Sequence, residues 1–334
     1  MKAEVKPRIE LENRTKLEEV FPLDTPFLIF LDPSDLCNFQ CKFCPSGDKA
    51  LLKKVKRRPG LMDFELYRKI IDDLCTFEKP IKVLRLYKDG EPLLNPRFPE
   101  MVRYARERGC ALQVDTTTNA SLLNPQLNLE LIDAGLDRIH ISLNGLSDES
   151  YRQFTGRKVN FNKLVENIAH FYEHRKNCLV CIKIVGDNLT QEEKDRFFDI
   201  FGNIADRIFI EHIAPCWPTF EMKEAIPNPT VGIYGQEIRE VMVCPYIFYS
   251  LSINSDGKVS LCFLDWSRKL IIGDLNTQSL KSIWNGKTLL NYRKMHLLKK
   301  RKDHPLCGIC GQLSHGLPDN IDPFAEILIK RIEG

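Results

Sequence analysis

Three cysteines near the start of the chain have the residue type and spacing of a metal–sulfur site. Cys37, Cys41 and Cys44 form a C-x3-C-x2-C array shortly after the apolar run 27–31. Three thiolates are one fewer than the four that an iron–sulfur cluster usually takes, so a cluster on this array keeps one iron open. An open metal position is where a substrate or cofactor binds. The array therefore predicts a cluster that takes part in chemistry.

A second group of cysteines lies near the C-terminus. Cys244 precedes a predicted hairpin over 248–263, in which an Asp-Gly pair supplies the turn, and Cys262 lies at the end of its return strand. Cys307 and Cys310 follow as a C-x2-C knuckle. Four thiolates from a hairpin and a knuckle can hold either zinc or an iron–sulfur cluster. The spacing by itself leaves both metals open.

The composition favours metal binding over disulfides for these cysteines. The chain has 334 residues, twelve cysteines and a net charge of +3, and its first residues do not form a secretory signal. No apolar run approaches the ~20 residues of a membrane span. We therefore expect a cytoplasmic protein without membrane or nucleic-acid partners, in a compartment where disulfides are rare. Cys178 and Cys181 also have C-x2-C spacing, but positions three apart in a strand face opposite sides and should not share a metal.

The elements that must position these residues alternate along the chain. Six apolar segments predict strands over 27–31, 81–86, 111–116, 138–143, 179–185 and 207–213. Amphipathic patterns predict helices over 63–75, 97–108, 125–134, 160–175 and 190–202. The alternation predicts parallel βα units, closed either as an open doubly wound sheet or as a barrel. No G-x-G-x-x-G follows the first strand, so a dinucleotide-binding fold loses support.

The first cysteine array and several strand ends resemble the radical S-adenosylmethionine (radical SAM) family. The resemblance implies a [4Fe–4S] cluster whose open iron takes the amino nitrogen and carboxylate oxygen of S-adenosyl-L-methionine, and a 5'-deoxyadenosyl radical released after one electron is delivered. It implies the α/β fold of that family, a partial (β/α)6 TIM-like barrel, with a small C-terminal cysteine-rich hairpin and helix extension. The expected organisation is an N-terminal arm over 1–26, a barrel over 27–215, a linker over 216–243, an auxiliary cluster domain over 244–312 and a tail over 313–334.

Polar residues at the carboxyl ends of the predicted strands resemble the cofactor-binding segments of the family, and such ends carry the functional groups of parallel barrels. Segment 87–92 resembles Gly-Gly-Glu-Pro with Asp89 in place of the first glycine, which implies that its backbone and acidic side chain hold the amino group of the cofactor. Arg152 resembles an arginine that pairs with the cofactor carboxylate, and Arg157 is a second candidate. The expected cofactor-binding residues are Asp89, Gly90, Glu91, Thr118, Asn119, Ser142, Asn144, Arg152 and Val185.

The end of the sixth predicted strand carries the candidate catalytic residues. Glu211 and His212 can each act as a general base, and strand alternation allows only one of them to face the barrel. Cys216 follows them, and its thiol can return a hydrogen atom to a substrate radical. Cys216 is also a substitute candidate for a cluster ligand.

The C-terminal cysteines resemble the SPASM extension of radical SAM enzymes. Cys244, Gly257 and Cys262 form the C-x12-G-x4-C pattern that opens this extension. The resemblance favours iron–sulfur over zinc. Because no cysteine follows Cys310, we expect one auxiliary [4Fe–4S] cluster with Cys244, Cys262, Cys307 and Cys310 as its ligands.

Together these features predict a radical SAM enzyme, an oxidoreductase or epimerase, that abstracts hydrogen from a small molecule such as a sugar, nucleotide-sugar or aminoglycoside. The short N-terminal arm and the basic run 49–58 favour a small substrate with an anionic group over a ribosomal peptide. A flavodoxin or ferredoxin is the expected one-electron donor. The alternatives are a maturase of ribosomal peptides and a metal-stabilised binding module without catalysis. The basic runs, including 299–302, are also compatible with solvated surface.

Overall fold

One continuous sheet runs through the computed structural model, which describes residues 1–10, 12, 14–222 and 230–333. Its strands are β1 Glu4–Val5, β2 Leu28–Leu31, β3 Ile81–Arg85, β4 Ala111–Thr118, β5 Arg138–Leu143, β6 Leu179–Val185, β7 Arg207–Glu211, β8 Ser250–Ile253, β9 Lys258–Ser260 and β10 Ile271–Asp274. Across the sheet they lie in the order β1-β7-β6-β5-β4-β3-β2-β8-β9-β10.

Helices alternate with the strands and also follow the last of them. They are α1 Leu17–Val20, α2 Lys49–Lys54, α3 Phe64–Leu74, α4 Phe98–Arg108, α5 Pro125–Asp133, α6 Asp148–Thr155, α7 Phe161–His174, α8 Gln191–Phe201, α9 Tyr246–Tyr249, α10 Leu280–Trp284, α11 Lys287–Leu297, α12 Gln312–His315 and α13 Ala325–Glu333. Polar side chains begin several of them, such as Asn124 at α5. At α8, Thr190 and Glu193 form the capping box that their spacing predicts.

Strands β2 to β7 form the predicted parallel core. Each pairs with its neighbour in sequence, for example Ile29 with Leu84 and Thr116 with Ile139. A doubly wound sheet reverses its strand order at a switch point, whereas the order here runs from β2 to β7 without reversal. The predicted partial (β/α)6 barrel is therefore confirmed. The predicted strands and helices of the barrel agree with the observed bounds to within two residues, and α2 and α6 are additions.

The two faces of the barrel strands differ in polarity, as strand alternation allows. The outer face is apolar and lies under the helices, and Ile29, Leu84, Val114 and Ile139 on it are 0% exposed. The inner face carries polar and charged side chains, which are Arg85, Asp115, His140, Lys183 and Glu211. Charged groups are rare inside proteins unless they have partners or a task. The charged barrel interior is therefore a candidate location for the chemistry.

The predicted C-terminal hairpin forms and joins the barrel. Strands β8 and β9 are antiparallel, and Gly257 in their turn has a φ of 81°, which favours glycine. In addition, β8 pairs in parallel with β2, from Leu28 beside Ser250 to Leu31 beside Ile253. The sequence did not predict this pairing. It makes the cysteine-rich segment a continuation of the barrel sheet.

The N-terminal arm adds a strand at the other edge of the barrel. Strand β1 pairs in parallel with β7, so that Val5 lies beside Ile208. Farther along the arm, Phe21 is buried and contacts Phe248 at a ring-centroid distance of 5.1 Å. The arm thus runs from the β7 edge of the sheet to the segment just before β8.

Within the described ranges no helix is long and apolar enough to cross a membrane. The expected linker over 216–243 includes residues 223–229, which lie outside the described residues.

Candidate active site

The first cysteine group lies in the loop after β2. Cys37, Cys41 and Cys44 are only partly exposed, and their thiols are close enough to interact electrostatically. Burial, followed by the charges of Glu91 and Cys44, raises the pKa of Cys37 to about 12. A buried thiol ionises only beside positive charge, which iron supplies when it takes a thiolate as ligand. The loop therefore fits the cluster that its spacing predicts.

The segment that resembles Gly-Gly-Glu-Pro packs directly on this cysteine loop. The Glu91 amide donates to the Leu36 carbonyl oxygen at 2.8 Å. A Cβ atom on Gly90 would lie 2.2 Å from the Ser34 carbonyl oxygen and 2.3 Å from that of Leu36. No side chain fits such an approach, so glycine is required here. The contact sets the spacing between the cysteines and the expected amino-group site.

Glu91 joins this segment to the end of β4. Its carboxylate accepts hydrogen bonds from the Thr118 hydroxyl at 2.6 Å and from the Asn119 amide at 2.8 Å. Burial raises the pKa of Glu91 to about 7. The Asn119 side chain in turn donates to Asn38 in the cysteine loop at 2.9 Å. The structure thus brings together three expected cofactor residues, Glu91, Thr118 and Asn119.

Two further expected cofactor residues lie at the end of β5. The Cys41 thiol donates to the Asn144 side-chain oxygen at 3.5 Å. The Asn144 amide group donates to the Ser142 carbonyl oxygen at 3.4 Å. Asn144 and Val185 also line a small pocket of about 30 Å³, which Phe43 from the cysteine loop closes on one side. The pocket is largely apolar but smaller than an adenine ring, so the contact of these strand-end residues with adenine stays a prediction.

Arg152 lies apart from these residues. Its side chain is 61% exposed on α6 and pairs with Glu149 at 2.8 Å. Arg157 lines a second, more open pocket of about 480 Å³ between the cysteine loop and the start of α7. Neither arginine contacts the group around Glu91 and Asn144, so their assignment to the cofactor carboxylate stays a prediction.

Asp89 takes part in a buried charge network that the sequence did not indicate. Its carboxylate pairs with Lys88 at 2.6 Å and with Arg57 at 3.0 Å, and all three side chains are at most 1% exposed. Arg57 also pairs with Asp35, a residue of the cysteine loop, at 3.3 Å. The basic run 49–58 therefore contains two kinds of residue. Its lysines are exposed, whereas Arg57 is buried and forms ion pairs within the protein. Only contacts between distant segments distinguish Arg57 from its neighbours.

Glu211 is the residue at the end of β7 that faces the barrel interior. It forms ion pairs with Lys183 and, at 3.4 Å, with Arg8 from the N-terminal arm. Burial acts to raise the pKa of Glu211, but Lys183 and Arg8 outweigh it and hold the pKa below its ordinary value. His212 points the other way and binds Asp187 through Nδ1 at 2.9 Å.

The four C-terminal cysteines come together from three separate segments. Cys262 interacts electrostatically with Cys244, Cys310 and Cys307, and burial is the main cause of its raised pKa. In the described residues, no three His, Cys, Asp or Glu side chains converge closely enough to hold a single metal ion. A cluster binds each thiolate through a different iron, so its ligands need not converge on one point. The four thiols fit such a group.

Cys216 lies between these cysteines and the barrel interior. The Cys310 thiol donates to the Cys216 carbonyl oxygen at 3.9 Å. A Cβ atom on Gly311 would lie 2.2 Å from the Pro215 carbonyl oxygen, so the knuckle is pressed against the loop after β7. On its other side Cys216 interacts electrostatically with Arg8 and Glu211. One residue therefore contacts the second cysteine group and lies within electrostatic reach of the interior charges.

The fold and the two cysteine groups define an enzyme class in which a partial barrel holds an iron–sulfur cluster at its strand ends. The family model of the Radical SAM superfamily matches residues 31–199, about half of the chain, and that of SPASM, an iron–sulfur cluster-binding domain, matches residues 244–311. The chain belongs to the radical SAM superfamily. It is an enzyme that uses a [4Fe–4S] cluster, S-adenosylmethionine and auxiliary iron–sulfur chemistry, and this sets aside the binding-module alternative.

Three comparisons illustrate the range of its relatives. The chain is 24% identical over 324 residues to the tungsten-containing aldehyde ferredoxin oxidoreductase cofactor-modifying protein of Pyrococcus furiosus, covering 84% of this chain and 86% of that protein. BtrN in complex with AdoMet and 2-DOIA has a TM-score of 0.57 at 19% identity, covering 89% and 97%. Streptococcus suis SuiB bound to precursor peptide SuiA has a TM-score of 0.60 at 14% identity, covering 90% and 72%.

Further curated relatives are matched over only 30% to 54% of their own length. At these identities the solved structures establish the fold and leave the substrate open.

Proposed function

We propose that this radical SAM enzyme abstracts a hydrogen atom from a small molecule of the sugar, nucleotide-sugar or aminoglycoside type and completes the reaction as an oxidation. The observation that carries the proposal is the position of Cys216. Its carbonyl oxygen accepts from the Cys310 thiol of the second cysteine group, and its own thiol lies within electrostatic reach of Glu211 in the barrel interior. The proposed electron acceptor and the proposed proton acceptor therefore lie on either side of one residue.

Oxidation of a carbon that bears a hydroxyl group releases a hydrogen atom, a proton and an electron. When bound, the first cluster with S-adenosylmethionine supplies the hydrogen-abstracting 5'-deoxyadenosyl radical, and the auxiliary cluster supplies an electron acceptor. In our proposal Cys37, Cys41 and Cys44 hold the first cluster, and the cysteines that hold the second are Cys244, Cys262, Cys307 and Cys310.

Glu211 is the proposed acceptor of the proton. Lys183 and Arg8 keep its carboxylate ionised, and its Oε1 atom is buried without a hydrogen-bond partner in the described residues. An ionised carboxylate within reach of a substrate hydroxyl acts as a general base. His212, which faces Asp187 on the outer side, is left to position the loop after β6.

An epimerisation is the second candidate, and the buried Cys216 thiol favours it. Cys216 is 7% exposed and lies beside the interior charges. A thiol there can return a hydrogen atom to the face of the substrate opposite the one attacked. Replacing Cys216 by alanine separates the candidates, since it abolishes incorporation of solvent hydrogen in an epimerase and leaves hydrogen abstraction intact in both cases.

The charges of the barrel interior support the proposed substrate class. A barrel lined by charged side chains provides hydrogen bonds for hydroxyl and anionic groups of a small polar molecule. The alternative is a peptide, which the fold also accommodates in a relative bound to its precursor peptide. The proposal includes a cytoplasmic location, where a flavodoxin or ferredoxin delivers the electron.

The test is anaerobic incubation of the reduced, cluster-loaded enzyme with candidate sugars, nucleotide-sugars, aminoglycosides and peptides. We expect 5'-deoxyadenosine release with a small molecule, together with a carbonyl product. Glu211→Gln should slow formation of that product by about 100-fold or more while release continues. Cys41→Ala should abolish release, and Cys75→Ala, which alters a cysteine outside both groups, should retain it.

Turnover of peptides but of no small molecule would overturn the substrate class. An epimer carrying solvent deuterium, with no carbonyl product, would establish the second candidate instead.

A further inference from the structure

The barrel interior contains a group of charged side chains for which the proposed chemistry uses only one member. They come from consecutive strands and from the N-terminal arm, and we call them the interior charge cluster. Its members are Arg8, Arg85, Asp115, Arg138, His140, Lys183 and Glu211.

The carboxylates of this cluster are already shared among its cations. Arg85 donates through Nε to both oxygens of Asp115 at 3.2 Å. Glu211 forms ion pairs with both Lys183 and Arg8. Four cations thus face two carboxylates in this described part of the barrel. A buried excess of positive charge is costly unless a counter-charge accompanies it.

Arg138 carries part of that excess. Its Nε atom is buried and has no hydrogen-bond partner among the described residues. By contrast, Arg207 on β7, which lies in register with Cys181 and so at the level of His140, is compensated by Glu10 at 3.0 Å. Arg138 lies in register with Asp115, whose two oxygens already accept from Arg85, so its only counter-charge here is a shared one. A guanidinium presents a planar fork of donors that suits an oxyanion.

His140 stands at the centre of the cluster, with its Nε2 atom 4.0 Å from an Asp115 oxygen, and it makes no hydrogen bond within the described residues. It is 3% exposed, and neither of its ring nitrogens has a hydrogen-bond partner in the described chain. Burial first, and then Arg85, Arg8, Arg138 and Lys183, hold the pKa of His140 far below its ordinary value, so the ring is neutral. A buried polar group without a partner indicates a missing ligand or water. A neutral ring can donate one hydrogen bond to such a ligand.

There is space beside these groups. Arg8, Arg85 and Lys183 keep 31%, 23% and 19% of their side-chain surface accessible although they face the interior. Lys183 precedes Val185, which lines the small pocket beside Phe43, by two residues on β6. Two residues of a strand span about 7 Å. The accessible part of Lys183 therefore lies one strand step below the expected adenosine site, and Arg138, in register with Leu179, lies two steps farther down the same face.

We propose that the interior charge cluster binds the phosphoryl group of a phosphorylated small-molecule substrate. The excess of two positive charges matches a phosphate, which carries a charge of about −1.5 to −2 near neutral pH, better than a carboxylate. Arg138 and Arg8 bind the phosphate oxygens, and His140 donates to one of them. The identity of this phosphate as part of the substrate rests on the proposed function, whereas the anion site itself does not.

The test measures binding of inorganic phosphate to the cluster-loaded full chain by anaerobic equilibrium dialysis with radiolabelled phosphate. We expect saturable binding that diphosphate displaces and that acetate at equal ionic strength does not. Arg138→Gln should weaken it by about ten- to 100-fold, the loss expected for a charged hydrogen bond. The matched control is Arg103→Gln, which removes an exposed arginine on α4 and should leave the affinity unchanged.

Iron content and circular dichroism report whether each variant is folded. If Arg138→Gln is not, Arg8→Gln takes its place and should weaken phosphate binding by a similar factor. Phosphate that binds no more tightly than acetate, or equally well to a folded Arg138→Gln variant, would overturn the inference.

The two proposals can fail separately. Phosphate binding that depends on Arg138, in an enzyme that releases no 5'-deoxyadenosine with any small molecule, would contradict the proposed function and leave the anion site standing. Turnover of unphosphorylated sugars by an enzyme that does not bind phosphate would support the proposed function and contradict the anion site.

Discussion

The Arg57 guanidinium donates a 2.9 Å hydrogen bond to the carbonyl oxygen of Trp266 and so joins the loop after the first cysteine group to the segment after Cys262. The same side chain, 1% exposed, pairs with Asp35 and with Asp89. One buried cation thus joins the cysteine loop, segment 87–92, which is expected to hold the cofactor amino group, and the C-terminal extension to one another. Asp89, which replaces a glycine of the family pattern, is a partner of this cation.

Replacing Arg57 by glutamine should destabilise the protein by about 3–5 kcal/mol, because two carboxylates would stay buried without their shared cation. Chemical unfolding of the cluster-loaded variant measures the change. Arg58→Gln is the matched control, since Arg58 is the exposed neighbour in the same basic run. Similar unfolding midpoints for the two variants would contradict a structural role for Arg57.

Replacing Gly90 by alanine should weaken S-adenosylmethionine binding by about tenfold or more, since the added Cβ forces the segment away from the carbonyl oxygens of Ser34 and Leu36. Equilibrium binding to the cluster-loaded variant measures the effect. Gly60→Ala in the adjoining loop is the control, because its Cβ would meet no atom within 4 Å. Wild-type affinity for S-adenosylmethionine in both variants would contradict the requirement for glycine at position 90.

Much of the barrel could be predicted because its signals are local. The strands 138–143 and 179–185 were predicted with their observed bounds, since each is an apolar run ended by a turn. Strand β1 has only two residues and therefore no period that a sequence could reveal. The hairpin of β8 and β9 was predicted from its Asp-Gly turn, but its parallel pairing with β2 joins residues more than 200 positions apart.

The stability of the protein should depend on pH through His140. Burial and the surrounding cations lower the pKa of His140 well below its ordinary value, so the folded state excludes a proton that the unfolded chain takes up below about pH 6.5. The unfolded chain then holds more protons, and folding stability falls as the pH falls, by at most about 1.4 kcal/mol per pH unit.

Replacing His140 by glutamine should remove this contribution. The stability of the wild type relative to His140→Gln should therefore decrease between about pH 7 and about pH 5.5. Urea unfolding across this range measures it, and His174→Gln controls for the loss of an exposed histidine. If the free energy of unfolding has the same pH dependence in the wild type and in His140→Gln, then the folded state does not keep His140 unprotonated.

The site could be predicted where its residues follow strand ends and could not where distant segments meet. Glu91, Thr118 and Asn119 could be grouped from the sequence because each follows a predicted strand, and the structure brings them together. Arg8 was not found, since an arginine in an N-terminal arm carries no pattern that places it beside Glu211. Arg57 was assigned to a surface run for the same reason.

The central claim is that two cysteine groups flank one barrel and hold two clusters. Iron and acid-labile sulfide analysis of the anaerobically reconstituted chain tests it most directly. The account predicts about eight irons and eight sulfides per chain, falling to about four of each in Cys262→Ala and unchanged in Cys178→Ala. Zinc without sulfide, or a Cys262→Ala variant that keeps the iron content of the wild type, would contradict it.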